Sequence, residues 1–138
     1  MERNFAACSA TFSNGVTVVN ATPHDLNLLS PEGEKVIVKT SVHKGEKSGF
    51  AVINARAVEK SVGDFLVDTE FCPCAEGNAI IEEIKEFFRD ADHLFIIGSM
   101  IAANAYSDVY GLCPAPGFER VPPAEKLMRC DKFTRGKA

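Results

Sequence analysis

A short apolar run that turns through a glycine and a serine into a helix-forming stretch places the strongest constraint on this fold. Leu94–Ile97 is short enough for one buried strand, and Met100–Tyr106 is predicted to form a helix. Between them, Gly98 and Ser99 leave backbone N–H groups unpaired at the helix start, where the helix dipole also favours an anion. The segment predicts either a phosphate-binding turn or a strand–helix packing unit that binds nothing.

Four side chains downstream of this turn are candidates for contacts with a nucleotide-like ligand. Arg120 lies in a turn-rich segment, and its guanidinium can donate two hydrogen bonds to a phosphate. Phe118 lies in the same proline-braced segment, while Asn104 and Tyr106 lie on the predicted helix. An amide can read a purine edge and an aromatic ring can stack on a base. The alternatives are core packing for the two aromatic residues and a plain surface position for the arginine.

Composition limits the class of protein and its partners. The 138 residues, with 46% apolar and 25% charged, predict one soluble globular domain spanning residues 1–138. The net charge of −4 argues against broad binding to DNA or to an anionic membrane surface. No apolar run approaches the length of a membrane span, and the polar N-terminal sequence lacks a signal-peptide pattern, so we expect a cytoplasmic protein.

The five cysteines are an odd number without a secretory signal, which predicts reduced thiols. Cys72 and Cys74 flank a single proline, a spacing that differs from the CxxC pattern of zinc sites, so no metal site is predicted. Cys8, Cys72 and Cys113 have apolar neighbours and are expected as small core residues.

The remaining elements are several strands followed by one long helix. Apolar alternation and β-branched runs predict strands at 16–19, 26–29, 36–38, 50–58, 65–72 and 109–112, with brief pairing at 126–128 before a frayed basic tail. Gly77 and Asn78 begin an amphipathic helix, with Asn78 as its N-cap. This order predicts an α+β fold in which a mainly antiparallel β-sheet carries the long helix and the shorter one.

Catalytic chemistry has little support in the sequence. Thr22 and His24 flank a proline at the end of a predicted strand, where they either line a pocket or close an Asx or ST turn. The sequence contains no nucleophile elbow, Walker A loop or G-x-G-x-x-G motif. We therefore expect no catalytic residue and no cofactor, and predict that the protein is not an enzyme.

A family resemblance is carried by NGVTVVNATPHDLNLL near the start and by IIGSMIAANAY, PAPGFERVPPAEK and DKFT near the end. These stretches resemble the first-described family of phage-encoded Thoeris anti-defence proteins, whereas residues 40–76 match less well. The resemblance implies a sponge that binds a cyclic ADP-ribose isomer in the host bacterial cytoplasm without cleaving it. It also implies a homodimer or higher homo-oligomer, with ligand pockets at the subunit interface and, in some members, a cyclic di- or trinucleotide at a separate site.

The resemblance also implies site residues. A family arginine that contacts ligand phosphate matches Arg120, and a second family arginine is assigned to Arg56. Family aromatic and asparagine side chains near the pocket are assigned to Phe95 and Asn104. Together with the residues singled out above, the candidate ligand-binding set is Arg120, Asn104, Phe95, Ser99, Gly98, Phe118, Tyr106, Arg56, Thr22 and His24.

Two other functions remain open at this point. One is an enzyme that hydrolyses a cyclic nucleotide signal, with His24 or a carboxylate as the base. The other is a phage protein that inhibits a protein partner without binding a ligand.

Overall fold

The α+β fold is confirmed in a computed structural model that describes residues 4–43, 45–46, 49–122 and 125–137. Across those residues the chain forms a seven-stranded sheet, a separate two-stranded hairpin and two α-helices. The strands are β1 (Ser9–Thr11), β2 (Val16–Asn20), β3 (Leu26–Leu29), β4 (Lys35–Val38), β5 (Arg56–Ser61), β6 (Val67–Cys72), β7 (His93–Ile97), β8 (Val109–Pro114) and β9 (Met128–Arg135). The helices are α1 (Ala75–Phe87) and α2 (Met100–Ala105), and a 3₁₀ turn covers Phe5–Cys8. Neither described helix is long and apolar enough to cross a membrane.

The main sheet is mixed, with the strand order β1-β2-β7-β8-β9-β3-β4. The pairs β2–β7, β7–β8 and β3–β9 are parallel, and the remaining neighbours are antiparallel. Parallel neighbours need a crossover connection, which α2 provides between β7 and β8. The sequence therefore predicted the fold class but underestimated the share of parallel pairing.

The sheet curls until strands that are far apart in its order meet. The Nδ2 of Asn20 at the end of β2 donates a 3.0 Å hydrogen bond to the carbonyl of Val38 at the end of β4. At the opposite end of β2, Asn14 Nδ2 donates to the carbonyl of Cys130 on β9 at 3.2 Å. The curl encloses one apolar cluster, whose fully buried members include Val18, Leu28, Val38 and Ile97.

The other face of the sheet carries both helices. Val19 and Ile96 face Ile80 and Ile84 of α1, and Tyr106 at the end of α2 belongs to the same cluster. Because successive side chains alternate between faces, Val18 and Val19 are both fully buried but lie in different clusters. The strand β2 is therefore buried on both sides, as strands with parallel partners commonly are.

Three predicted boundaries are wrong. The helix α1 begins at Ala75 with Cys74 as its N-cap, and Asn78 lies inside it, donating its backbone N–H to the Cys74 carbonyl. The strand predicted at 50–58 begins only at Arg56, because the preceding residues are held in an irregular segment in which Ile53 N donates to the Ala21 carbonyl. The tail expected to fray is the eight-residue strand β9, stabilised by pairing with both β8 and β3.

The cysteine prediction is partly confirmed. All five are free thiols. Cys8 is buried in the core, as expected, whereas Cys72 and Cys113 are half-buried.

The β5–β6 hairpin stands apart from the main sheet. Its six residue pairs run from Arg56 opposite Cys72 to Ser61 opposite Val67. All of β5 is exposed, and the hairpin contacts the core at its base, where Phe71 packs against the helix-side cluster.

Candidate functional site

The turn between β7 and α2 forms as predicted, and its residues have structural roles. Ser99 is the N-cap of α2, and its Oγ accepts a 3.1 Å hydrogen bond from the Ala102 backbone N–H. Gly98 is buried, and a Cβ there would lie 2.6 Å from Val109 Cγ1, so close packing of β8 requires the glycine. Since α2 has six residues and its cap is already filled by Ser99, this turn alone does not form an anion site.

The carboxyl ends of two parallel strands bring a second predicted group close to this turn. Asn20 at the end of β2 pairs with Ile97 at the end of β7, so Thr22 and His24 lie at the same edge of the sheet as Gly98. Thr22 N donates to Asn20 Oδ1 at 2.9 Å, and Asn20 Nδ2 donates to the His24 carbonyl at 2.7 Å. The buried Asn20 and Thr22 side chains therefore form an Asx-type turn, while His24 is exposed.

The Tyr106 hydroxyl forms hydrogen bonds at the base of the hairpin. It donates to the Asn54 carbonyl at 2.8 Å and accepts from the Cys74 backbone N–H at 2.9 Å, so it joins the two chain segments that flank β5 and β6. A Cβ at Gly77 would overlap this hydroxyl, which explains the glycine in the first turns of α1. Tyr106 is 3% exposed, which matches the core-packing alternative for this residue.

The Tyr106 hydroxyl also affects the pKa of the Cys74 thiol. It lies 3.3 Å from Cys74 Sγ, and donation of the hydroxyl proton to the sulfur in place of the Asn54 carbonyl lowers the pKa of the Cys74 thiol. Burial raises the pKa of Tyr106.

Phe95 and Asn104 also have partners within the chain. The Phe95 ring stacks on Phe133 with centroids 4.2 Å apart and meets Tyr110 edge-on at 5.3 Å, within the cluster enclosed by the curled sheet. The Oδ1 of Asn104 accepts a 2.9 Å hydrogen bond from the backbone N–H of Lys137. Neither residue shares a described cavity with the turn at Gly98.

The remaining predicted residues lie on separate surfaces. Phe118 is half-buried, and its backbone N–H donates to the Ala115 carbonyl at 2.9 Å. Arg120 follows on the same loop and is exposed, whereas Arg56 is exposed at the start of the distant hairpin strand β5. The predicted set is therefore spread over the β7–α2 turn, the curled sheet, the hairpin and this loop.

The larger of the two cavities described here was not predicted. It has a volume of about 430 Å³ and is lined by Asn14, Leu29, Ser30, Pro31, Ala115, Pro116, Arg129, Cys130 and Asp131. We call it the Arg129 cavity. The turn between β1 and β2, the end of β3, the loop after β8 and the strand β9 converge on it. Its wall at Pro116 leads directly into the loop that carries Phe118 and Arg120.

The Arg129 cavity contains one ordered ion pair. Arg129 Nε donates to Asp131 Oδ1 at 2.8 Å and its Nη2 donates to Oδ2 at 3.0 Å, so the two side chains meet in a bidentate geometry. The guanidinium holds the pKa of the Asp131 carboxyl below its usual value. Burial raises the pKa of the neighbouring Cys130 thiol, which favours its neutral form.

Little in the sequence indicates a functional role for Arg129. It lies in the stretch expected to fray, and it reaches the cavity only because β9 pairs in parallel with β3, placing Arg129 opposite Leu29. The alternation of charge across Arg129 and Asp131 was the one available signal, and it is common on solvated strands.

A second cavity, of about 330 Å³, contains none of the predicted residues. It lies where the first hairpin turn meets the end of α1, and it is lined by Thr11, Gly15, Thr17, Phe87, Phe88, Asp90, Ala91 and Asp92. Among the residues that the structure describes, no group of three or more His, Cys, Asp or Glu side chains is placed to hold a metal ion.

Comparison of the chain with family models, with curated proteins and with solved structures gives no match.

Proposed function

We propose that this chain binds a small phosphorylated ligand, a cyclic ADP-ribose isomer in the first instance, and sequesters it without cleaving it. The observation that best supports this proposal is the Arg129 cavity, whose volume of about 430 Å³ is typical of small-molecule sites. Its arginine is already held in one orientation by Asp131, so an anion would bind without first ordering that side chain.

The donors of Arg129 are only partly used. A guanidinium carries five N–H groups, and Asp131 accepts from two of them, which leaves both Nη1 donors and one Nη2 donor for phosphate oxygens. Because the Asp131 charge offsets that of Arg129, a phosphate needs a second cation. Arg120 is the candidate, since it is exposed on the loop that continues from the cavity wall at Pro116.

The biological role that we propose follows the family resemblance. A phage protein of this kind would act in the cytoplasm of its bacterial host and keep an immune effector inactive by removing its cyclic nucleotide signal. Sequestration requires tight binding and slow release, and nanomolar affinity corresponds to about 12 kcal/mol. A homodimer and a separate site for a cyclic di- or trinucleotide belong to the same proposal, which includes no catalytic step.

The test is calorimetry of the purified protein with cyclic ADP-ribose isomers, followed by mass analysis of the ligand released on heating. Tight binding with recovery of intact ligand is the expected result. Recovery of a cleaved product would instead identify an enzyme. The absence of binding heat at micromolar protein would reject the proposed ligand and turn attention to cyclic oligonucleotides or a protein partner.

Arginine variants locate the site. We expect Arg120→Ala to abolish binding and Arg129→Gln to weaken it by at least about tenfold, which corresponds to about 1.4 kcal/mol. Arg89→Gln is the matched control, because Arg89 also pairs with a carboxylate, that of Glu86, but lies in the exposed turn that follows α1. Unchanged affinity in both the Arg120 and Arg129 variants would reject this location.

A further inference from the structure

The tip of the β5–β6 hairpin exposes more apolar surface than any other described segment of the chain. Phe65 is 98% exposed and Leu66 is 67% exposed, and their neighbours Val62 and Val67 are about half exposed. A two-stranded hairpin is only marginally stable by itself in water, and contiguous exposed apolar residues commonly mark an interaction surface. The hairpin therefore requires an explanation that the Arg129 cavity does not provide.

The hairpin has two different faces. Directly opposed residues share a face, and successive residues alternate between faces, so the register assigns every side chain. The inner face includes Ala57 and Phe71, and Phe71 packs against the core at the base of the hairpin. The outer face consists of Arg56, Val58, Lys60, Val62, Leu66, Asp68, Glu70 and Cys72, all of them exposed except the half-buried Cys72.

Charge on the outer face is divided between the two strands. Arg56 and Lys60 lie on β5, whereas Asp68 and Glu70 lie on β6, with Lys60 directly opposite Asp68. Among the described residues, neither the Lys60 nor the Asp68 side chain has an ion-pair or hydrogen-bond partner. One strand is thus basic and the other acidic on the same exposed surface.

We propose that the outer face packs against the outer face of a second copy of this chain, about a two-fold axis parallel to the strands. This rotation lays β5 of one copy over β6 of the other at the same level. Lys60 then meets Asp68 of the second copy, and Val62 meets Leu66 of the second copy, each contact occurring twice as two-fold symmetry requires. The two protein bodies lie on opposite sides of the stacked hairpins, because each is attached through the inner face at Phe71.

Three other ways of joining two hairpins bring like charges together. Edge-to-edge pairing of β5 with its own copy about Val58 places Arg56 opposite Lys60 of the second copy, and pairing of β6 about Thr69 places Asp68 opposite Glu70 of the second copy. Directly opposed like charges destabilise a sheet. Stacking about an axis perpendicular to the strands lays β5 on β5, with the same result. The charge pattern therefore favours stacking about the axis parallel to the strands over these three arrangements.

The size of the hairpin sets the expected strength. Two stacked six-residue hairpins form an interface below the roughly 1,200 Å² of stable protein–protein complexes. We expect a dissociation constant in the micromolar range. The proposal does not depend on the ligand and is tested without it.

Sedimentation velocity from micromolar to near-millimolar protein tests the dimer. The native chain is expected to shift from monomer to dimer as concentration rises. Lys60→Asp and Asp68→Lys should each weaken association by at least about tenfold, because each creates like-charge contacts across the interface. An equimolar mixture of the two variants should regain the dimer, since every contact in the mixed pair again joins opposite charges.

Two further variants test whether the association depends on the outer face specifically. Glu59→Lys, on the inner face of the same strand, should leave the dissociation constant unchanged, whereas Leu66→Ser should weaken association. Recovery in the mixture cannot result from misfolding of either variant, so it separates lost contacts from lost structure. A native chain that stays monomeric at near-millimolar concentration, or a dimer that Lys60→Asp does not weaken, would overturn the proposal.

Discussion

The strands β2 and β5 show how differently two short strands of one chain can be stabilised. All five residues of β2 are buried, with one apolar cluster on each side. All six residues of β5 are exposed, and its hairpin touches the core through Phe71 of the neighbouring strand. The comparison teaches that β2 is stabilised by tertiary packing. In contrast, β5 depends on cross-strand pairing and on the hydrogen bonds of the Tyr106 hydroxyl at the base of its hairpin, which we call the Tyr106 clamp.

The same side-chain deletion on the two strands should have very different effects. Val18→Ala removes two methyl groups from a fully buried position, and we expect a loss of about 2–3 kcal/mol in the free energy of unfolding. Val58→Ala makes the same change on the outer face of β5 and should alter stability by less than about 0.5 kcal/mol. Urea denaturation of both variants at low protein concentration, where association is negligible, measures the difference.

Equal losses for the two variants would contradict the comparison. A large loss at Val58 alone would mean that the outer face is packed within the monomer. That result would also count against the proposed contact with a second copy.

The Tyr106 clamp offers a way to loosen the hairpin while leaving the main sheet intact. Tyr106→Phe keeps the buried ring but removes the hydroxyl that joins the Asn54 carbonyl to the Cys74 N–H. We expect a loss of about 1–2 kcal/mol in the free energy of unfolding, because two backbone groups lose a partner. Hydrogen exchange should accelerate in β5 and β6 and stay unchanged in β2.

Tyr110→Phe is the matched control, since among the described residues the Tyr110 hydroxyl makes no hydrogen bond. Uniform acceleration across the chain in Tyr106→Phe would show that the hydroxyl supports the whole fold. The separation between the hairpin and the sheet would then be wrong.

Local sequence patterns predicted what depends on neighbouring residues. The apolar face of α1 and the strand–turn–helix at Gly98 both form, because periodicity and capping act within a few residues. The strand β9 could not be predicted, because its stability comes from pairing with β3 and β8, far away along the chain. The Arg129 cavity depends on that pairing, so it could not be predicted from local sequence patterns either.

The candidate site shows a second limit of sequence reading. Residue types suited to ligand binding are equally suited to structure, and the fold uses Ser99 as a cap and Tyr106 as a clamp. The sequence alone does not distinguish a hydroxyl that forms a structural hydrogen bond from one that is available to bind a ligand. Solvent exposure in the structure distinguishes side chains with structural partners from side chains available to a ligand. Of the two predicted arginines, Arg120 is the one that is exposed on a loop next to a cavity.

The smallest expected effect concerns pH and the ion pair in the Arg129 cavity. Because Arg129 lowers the pKa of the Asp131 carboxyl in the folded protein, the pair stabilises the fold at pH values above the ordinary aspartate pKa of about 4. That stabilisation is lost as the pH falls through the lower folded value. The pair is partly exposed to solvent, so the change in stability should be small, and carboxyl NMR titration is the sensitive measurement.

The Asp131 resonance should titrate at higher pH in Arg129→Gln than in the native chain, whereas Lys132→Gln, a change in a neighbouring exposed charge, should move it much less. An Asp131 titration that is unchanged in Arg129→Gln would mean that the guanidinium is not held against the carboxylate, and the preorganised cation on which the proposed site depends would be lost with it.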